Sequence, residues 1–308
     1  MQMKWRGVMP ATTTAFDENL NIDHAFVAKH AKWLIDNGCT AIVAPGSLGE
    51  SATLSFDEKI ALWNTLIEAV GERVPVVAAI ASLSTAEAVA LATRAADAGC
   101  SGLMVLPPYV YRSEWREMKA HLEAVFRATN LSCMLYNNPV AYGTDFLPEQ
   151  IRELAAEHEN LAAVKESSTD VRRITWIKEL TGDRLDISVG VDDAIVEGIA
   201  AGAVGWVAGL VNALPQESVA LFNYAMNGEH EKARELYYWF LPLLRMDTVP
   251  KFVQLIKLVQ QEVGMGSTRV RPPRLELIGE ELEEALRVIR HALETRIERS
   301  TSSAARNP

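Results

Sequence analysis

The chain has 308 residues, of which 49% are hydrophobic and 23% are charged, and its formal net charge is −10. This composition excludes a disordered chain, because it can bury a full core as one large domain or as a domain with an appendage. Lys and Arg are not clustered, so the sequence also argues against nucleic acid or an anionic membrane as a partner. The expected partner is a small molecule.

No export or membrane-spanning segment is expected. The first residues, MQMKWRGVMPATTTAF, turn polar before an apolar stretch of signal-peptide length develops. The long uncharged stretch 198–214 is broken by glycines and is shorter than the roughly 18 apolar residues that a spanning helix needs. The sequence therefore predicts a cytoplasmic protein. Cys39, Cys100 and Cys133 match no metal or redox spacing and are predicted to be reduced core residues.

Short apolar runs alternate with amphipathic segments along most of the chain. The eight runs are VMPATTT, AIVAPGS, PVVAAIAS, GLMVLPP, SCMLYNNP, LAAVKES, LDISVGV and VGWVAGLV, and a helical pattern follows each. Apolar strands followed by helices are typical of a parallel sheet covered on both faces, and eight such units predict a closed (β/α)8 TIM barrel. An open doubly wound sheet is the alternative, but the first strand lacks the glycine-rich phosphate turn of that fold.

The alternation stops after Gly228. Three helical patterns follow, beginning EHEKAREL, VPKFVQLI and GEELEEAL. Because they have no strands to cover, we expect them to pack against the barrel or another subunit. The predicted organisation is a catalytic barrel at 1–227, a C-terminal three-helix extension at 228–298 and a flexible tail at 299–308.

Catalytic side chains of such barrels lie at the C-terminal ends of the strands. Lys165 ends the sixth apolar run, where poor solvation would lower the pKa of its amine and permit Schiff-base formation with a ketone. The alternatives are an ion pair with Glu166 or a lysine that reaches solvent at the barrel mouth. Tyr136 ends the fifth run and could equally be a core aromatic. Glu50 and Glu166 could act as acids or bases, but we interpret them as structural residues that satisfy nearby backbone donors.

No metal or cofactor site is expected. The histidines lie in helical segments or near helix ends, away from the strand ends where a metal site would form. The glycines of GAVGWVAG match no dinucleotide or phosphate-binding spacing, and they more simply permit close packing in the eighth strand.

Three motifs occur in order on the expected strands. PGSLGES resembles the GxxGE loop, YNNP the YNxP motif, and VKESS the Schiff-base lysine motif of the dihydrodipicolinate synthase and N-acetylneuraminate lyase superfamily. GVDD and GAVGWVAGLVNALP resemble the segments that follow. The resemblance implies a (β/α)8 barrel with C-terminal helices, usually assembled as a homotetramer that is a dimer of dimers. It also implies that the lysine imine replaces any cofactor.

The resemblance assigns roles to the motif residues. Lys165 would condense with the carbonyl carbon of a 2-oxo acid, and Tyr136 would move protons at the reacting centre. Ser47 and the neighbouring backbone N–H groups would bind the substrate carboxylate. The remaining expected substrate-binding residues are Leu48, Gly190, Asp192 and Gly209.

Three positions depart from the synthase pattern. Synthases have a second loop hydroxyl where this chain has Leu48, and a tyrosine where it has Val110, although Tyr111 follows immediately. Those two groups form a proton relay with the YNxP tyrosine. Synthases also have an arginine for the second substrate's carboxylate where this chain has Ala141. These departures predict against dihydrodipicolinate synthase activity.

Elimination needs only one acid or base near the lysine, which Tyr136 or Lys165 itself could supply. YNNPVAYG, ESSTDVRRITWIK and GWVAGLVNALP also resemble the deaminases that act on 1-pyrroline-4-hydroxy-2-carboxylate in hydroxyproline breakdown. The sequence prediction is therefore deamination of this pyrroline carboxylate to 2-oxoglutarate semialdehyde and ammonia. Dehydration or aldol cleavage of a 2-keto-3-deoxy sugar acid is an alternative, and so is a catalytically silent ligand-binding barrel.

Overall fold

Eight short parallel strands form the centre of the fold. The computed structural model describes residues 3–108 and 111–296. The strands are β1 (Gly7–Pro10), β2 (Ile42–Ala44), β3 (Val76–Ile80), β4 (Gly102–Val105), β5 (Ser132–Asn137), β6 (Leu161–Glu166), β7 (Asp186–Val189) and β8 (Gly205–Ala208). They are hydrogen-bonded in the order β1-β8-β7-β6-β5-β4-β3-β2. A parallel bridge between Ala11 and Val43 joins the two edges of the sheet, and the predicted (β/α)8 barrel is confirmed.

Helices follow the strands, and all but the short turn of helix after β5 cover the outside of the barrel. They are α1 (His24–Asp36), α2 (Phe56–Val70), α3 (Thr85–Ala98), α4 (Trp115–Arg127), α5 (Pro139–Tyr142), α6 (Pro148–Glu157), α7 (Arg172–Thr181), α8 (Ile195–Ala200) and α9 (Pro215–Met226). The start of α2 shows how the sequence sets such a boundary. Ser55 accepts a hydrogen bond from the Glu58 backbone N–H, and Glu58 accepts one from the Ser55 N–H, which together form a capping box.

Three further helices form the predicted C-terminal extension. They are α10 (His230–Leu244), α11 (Phe252–Glu262) and α12 (Gly279–Glu294). α10 packs against α9 and α12, and α11 packs against α12. The domain division at 227/228 stays a prediction, and the tail at 299–308 lies outside the described residues. No helix in the described ranges is long and apolar enough to span a membrane.

The core has two layers because successive strand residues point to opposite faces of the sheet. In β3, Val76, Ala78 and Ile80 pack under the helices, whereas Val77 and Ala79 fill the barrel interior. The three cysteines are buried and unpaired, and burial raises the pKa of each thiol to about 12. The barrel interior is thus a packed core, and space for a ligand is left at its mouth.

A buried ion pair ties the loop after β2 to the extension. The carboxylate of Glu50 lies 2.6 Å from Nζ of Lys257 on α11 and also accepts a hydrogen bond of 3.0 Å from the Arg271 backbone N–H. Lys257 donates a second bond to the Arg269 carbonyl. Both side chains are almost fully buried, at 0% and 3% exposure. These contacts agree with the interpretation of Glu50 as a structural acid.

The Glu50–Lys257 pair makes a prediction about stability. Lys257→Met leaves a carboxylate buried without a counter-charge, so we expect the free energy of unfolding to fall by about 3–5 kcal/mol in urea titration. The double variant Glu50→Gln/Lys257→Met should lose less of the free energy of unfolding, because it leaves no buried charge. The matched control is Arg287→Met, which breaks an ion pair whose side chains are 70% and 63% exposed and should cost about 0–1 kcal/mol. Equal losses for Lys257→Met and Arg287→Met would contradict the account.

Candidate active site

A cavity of about 500 Å³ opens at the C-terminal ends of the strands. Six of the seven predicted site residues line it, namely Ser47, Leu48, Tyr136, Lys165, Gly190 and Gly209. The seventh, Asp192, does not. The cavity wall also includes Tyr142, Asp247 and Arg274, which no sequence pattern indicated.

Lys165, on β6, lines this cavity. Its side chain is buried, and Nζ lies 4.2 Å from the centre of the Tyr136 ring. Burial lowers the pKa of the Lys165 amine, and the acidic side chains of Asp247 and Asp192 oppose this effect. A lysine with a lowered pKa has more of the neutral amine that attacks a carbonyl carbon.

The expected alternative for Lys165, an ion pair with Glu166, is not what the structure contains. Glu166 accepts hydrogen bonds from the Ser168 backbone N–H at 2.6 Å and from Nδ2 of Asn137 at 3.1 Å. Asn137 in turn accepts a bond from the Phe146 N–H. Glu166 and the first Asn of YNNP therefore fasten the ends of β5 and β6 to each other and to the following loop.

Three hydroxyl groups meet in the wall of the cavity that Lys165 also lines. The hydroxyls of Ser47 and Tyr142 are in hydrogen-bond contact. Tyr142 and Tyr136 interact through their hydroxyls and through an edge-to-face ring contact with centroids 5.8 Å apart. Burial raises the pKa of both phenols, so both stay protonated at neutral pH. Such a chain of hydroxyls can pass a proton between a bound substrate and solvent.

The YNNP motif explains how Tyr142 reaches the cavity. The second Asn, Asn138, caps the short helix α5 by accepting from the Ala141 N–H at 3.0 Å, and it donates to the Tyr136 hydroxyl at 3.0 Å. Gly143, with φ of 69°, ends that helix. One turn of helix thus brings Tyr142 beside Tyr136. The sequence signal for this was weak, because an isolated Tyr after YNxP has no periodic pattern around it.

The PGSLGES loop presents backbone donors to the cavity. The N–H groups of Ser47, Leu48 and Gly49 make no hydrogen bond within the described part of the chain, whereas those of Glu50 and Ser51 bond back to Ser47 and Gly46. Clustered free N–H groups of this kind bind anions. The Leu48 side chain is buried and is part of the core under the loop.

Gly190 and Gly209 are needed for space. A Cβ at position 190 would lie 2.0 Å from Oγ of Ser167 and 2.5 Å from Cε of Lys165. A Cβ at position 209 would lie 2.0 Å from Oδ1 of Asp247. Larger residues at these two positions would displace the groups that line the cavity.

Asp192 lies behind the cavity wall. It accepts hydrogen bonds from Nε1 of Trp206 at 2.9 Å and from the backbone N–H groups of Gly209 and Leu210 at 3.1 and 2.7 Å. Burial raises its pKa to about 6, even though these three donors favour the charged form. In this position Asp192 fixes the loop after β8, and its oxygens are already engaged by the chain.

Within residues 3–108 and 111–296, one group of possible metal ligands comes together, away from the C-terminal ends of the strands. Glu123, Glu157 and His158 place ligand atoms within 4.8 Å of one another. Nζ of Lys119 lies 2.8 Å from Glu157 and 3.9 Å from Glu123, so an ammonium already balances this negative charge. The group belongs to the outer helical layer and does not touch the cavity.

A family model, the dihydrodipicolinate synthetase family, matches residues 4–292. The chain belongs to this family. It is 38% identical over 240 residues to 4-hydroxy-tetrahydrodipicolinate synthase of Natronomonas pharaonis. This alignment covers 78% of this chain and 81% of that protein. Dihydrodipicolinate synthase DapA-2 of Bacillus anthracis superposes with a TM-score of 0.90 at 31% identity, covering 97% and 100% of the two chains.

A third similar protein is YagE of Escherichia coli K12, a member of the same family solved in complex with pyruvate. It has a TM-score of 0.88 and 25% identity and covers 94% of this chain and 99% of its own. Family membership identifies the chain as a lyase of the lysine Schiff-base class.

These comparisons overturn the predicted reaction. The prediction of 1-pyrroline-4-hydroxy-2-carboxylate deamination was wrong, and so was the prediction against dihydrodipicolinate synthase activity. The relatives at 30–38% identity over most of the chain are named as synthases. The two alternatives, a 2-keto-3-deoxy sugar acid enzyme and a catalytically silent barrel, are rejected on the same grounds. The prediction counted hydroxyls only at Leu48 and at Val110, which lies outside the described residues. Tyr142 brings a hydroxyl from another segment, and Arg274 brings a guanidinium that Ala141 does not.

The lowered pKa of Lys165 can be tested by trace labelling with acetic anhydride, which acetylates only neutral amines. We expect the reaction rate at Lys165 to level off at a lower pH than the rate at Lys232, whose pKa is raised by its hydrogen bond to Glu229. The rates would be followed by peptide mass spectrometry between about pH 6 and 11. Parallel pH profiles for the two lysines would show that burial does not shift the Lys165 amine.

Proposed function

We propose that the chain condenses pyruvate with L-aspartate 4-semialdehyde, the reaction of a 4-hydroxy-tetrahydrodipicolinate synthase. The observation that carries this proposal is the buried amine of Lys165 in the same cavity as the contacting hydroxyls of Tyr136, Tyr142 and Ser47. The names of the relatives and the pyruvate complex of YagE support the choice of substrates.

The first half of the reaction needs only pyruvate. The neutral amine of Lys165 attacks C2, and water leaves to give a protonated imine, so no cofactor is required. The pyruvate carboxylate is held by Ser47 and by the free backbone N–H groups of the PGSLGES loop. Loss of a proton from C3, which Tyr136 can relay, leaves an enamine whose C3 is a carbon nucleophile.

The second half needs the aldehyde. Enamine C3 attacks the aldehyde carbon, a C–C bond forms, and the new alkoxide takes a proton from the chain of Tyr136, Tyr142 and Ser47. The amino nitrogen of the aldehyde then attacks C2, and the bond from C2 to Lys165 breaks as the ring closes. This step returns Lys165 as the free amine, so the cycle is complete. The implied homotetramer stays a prediction.

The proposed reaction is tested by adding pyruvate and L-aspartate 4-semialdehyde to the purified chain and following the cyclic product by mass spectrometry. We expect product from the wild type and a loss of at least about 10³-fold in kcat for Lys165→Met. Lys178→Met, a change at an exposed lysine paired with Asp183, is the control and should keep full activity. A wild-type chain that forms no product from this pair would refute the proposal.

The role of Tyr142 gives a separate test. Tyr142→Phe keeps the ring contact with Tyr136 but removes the hydroxyl that contacts Ser47, so we expect kcat to fall by about 10²-fold. Tyr238→Phe, on an exposed face of α10 with 66% exposure, is the matched control. If the two variants have the same kcat, proton transfer does not pass through Tyr142.

A further inference from the structure

The C-terminal extension supplies one wall of the cavity. The residues of this wall are Asp247, Thr248, Val249, Pro250, Phe252 and Arg274. All but Arg274 lie between the end of α10 and the start of α11, and Arg274 precedes α12. The imine-forming lysine comes from the barrel, so a reactant bound to Lys165 lies between the two parts of the chain.

Arg274 is a cation without a counter-charge. It is half-buried at the cavity wall, and its guanidinium forms no hydrogen bond or ion pair with any residue of 3–108 or 111–296. The two arginines that precede it are paired, Arg271 with Glu58 at 2.6 Å and Arg269 with Glu18 at 3.8 Å. A partly buried guanidinium with free donors is suited to bind a carboxylate.

The backbone that carries Arg274 is held in place. Arg271 donates from its backbone N–H to Glu50 at 3.0 Å and from its guanidinium to the carbonyls of Leu20 and Thr53 at 2.8 and 3.1 Å. The Arg274 N–H bonds to the Arg271 carbonyl at 3.1 Å. The backbone of Arg274 is therefore fixed near the PGSLGES loop. This restraint lowers the entropy that is lost when the guanidinium binds a ligand.

Asp247 is the acid of the same wall. Its carboxylate lines the cavity, packs against Gly209, and accepts no hydrogen bond within the described residues. It interacts electrostatically with Lys165 without forming a salt bridge, and with Asp192 behind the wall. An acid beside the imine-forming amine, with its acceptor oxygens unused, is placed to bind a donor group of a substrate.

The chemistry of ring closure sets where these groups must act. The amino nitrogen of the aldehyde attacks the carbon that is bonded to Nζ of Lys165, so the group that binds this nitrogen must lie beside Lys165. The carboxylate is attached to the same α-carbon, so its partner must belong to the same region of the wall. Asp247, which interacts electrostatically with Lys165, meets the requirement for the group that binds the nitrogen. Arg274, on the same wall, meets the requirement for the group that binds the carboxylate.

We propose that Arg274 binds the α-carboxylate and Asp247 the α-amino group of the acceptor aldehyde. This pair replaces the arginine that the sequence comparison expected at Ala141, and it makes the C-terminal extension the part of the chain that selects the second substrate. The proposal rests on the proposed function and goes beyond it, since it names the residues that distinguish an amino acid aldehyde from a simple one.

The test is steady-state kinetics with three aldehydes. L-Aspartate 4-semialdehyde carries both groups, succinic semialdehyde lacks the amino group, and butyraldehyde lacks both. Arg274→Gln should raise KM for the two acids by about 10- to 100-fold and leave KM for butyraldehyde unchanged. Arg274→Lys should recover part of the loss, because it keeps the charge but not the bidentate geometry.

Asp247→Asn should raise KM for L-aspartate 4-semialdehyde alone. Arg269→Gln is the matched control, because Arg269 lies in the same segment but does not line the cavity. KM for pyruvate should stay at the wild-type value in Arg274→Gln, which separates a lost acceptor contact from a collapsed site.

Two outcomes would overturn the inference. If the wild type uses L-aspartate 4-semialdehyde and Arg274→Gln has the same KM for it, the inference is wrong and the proposed function stands. If the wild type exchanges the C3 protons of pyruvate with solvent but makes no product from this aldehyde, the proposed function fails and the inference fails with it.

Discussion

Burial of the Lys165 amine is the constraint on which the rest of the site depends. An ammonium removed from water is destabilised, so the neutral and nucleophilic form becomes accessible. The surroundings of Lys165 keep the amine out of water. The centre of the Tyr136 ring lies 4.2 Å from Nζ, and Gly190 leaves room for the lysine side chain. Asp247 is near but forms no salt bridge, so the amine is not fixed in its charged form.

A second constraint is the connection between the mouth of the barrel and the C-terminal helices. The buried pair of Glu50 and Lys257 fixes the PGSLGES loop to α11, and the Arg271 backbone N–H binds the same carboxylate. One set of contacts therefore orders the loop that presents free N–H groups and the segment that carries Arg274. If Arg274 selects the second substrate as proposed, stability and substrate selection are linked at this point, because a chain that loses the pair also loses the fixed geometry of both segments.

Much of the fold and part of the site could be predicted from sequence because their signals are local. Apolar runs of strand length revealed all eight strands, and an isolated lysine at the end of one run revealed Lys165. Tyr142, Asp247 and Arg274 could not be found in this way, because contacts between distant segments bring them to the cavity. The comparison at Leu48 and Ala141 misled for the same reason: it assumed that a chemical role stays at one position, whereas a hydroxyl or guanidinium can reach the same space from another segment.

The central claim is that Lys165 forms an imine with a 2-oxo acid. The most direct measurement is borohydride reduction of the chain in the presence of pyruvate, followed by peptide mapping with mass spectrometry. The account predicts one reduced pyruvate per chain, attached to Lys165, and none in Lys165→Met or when pyruvate is omitted. An adduct on another lysine such as Lys257, or no adduct in the wild type, would contradict it.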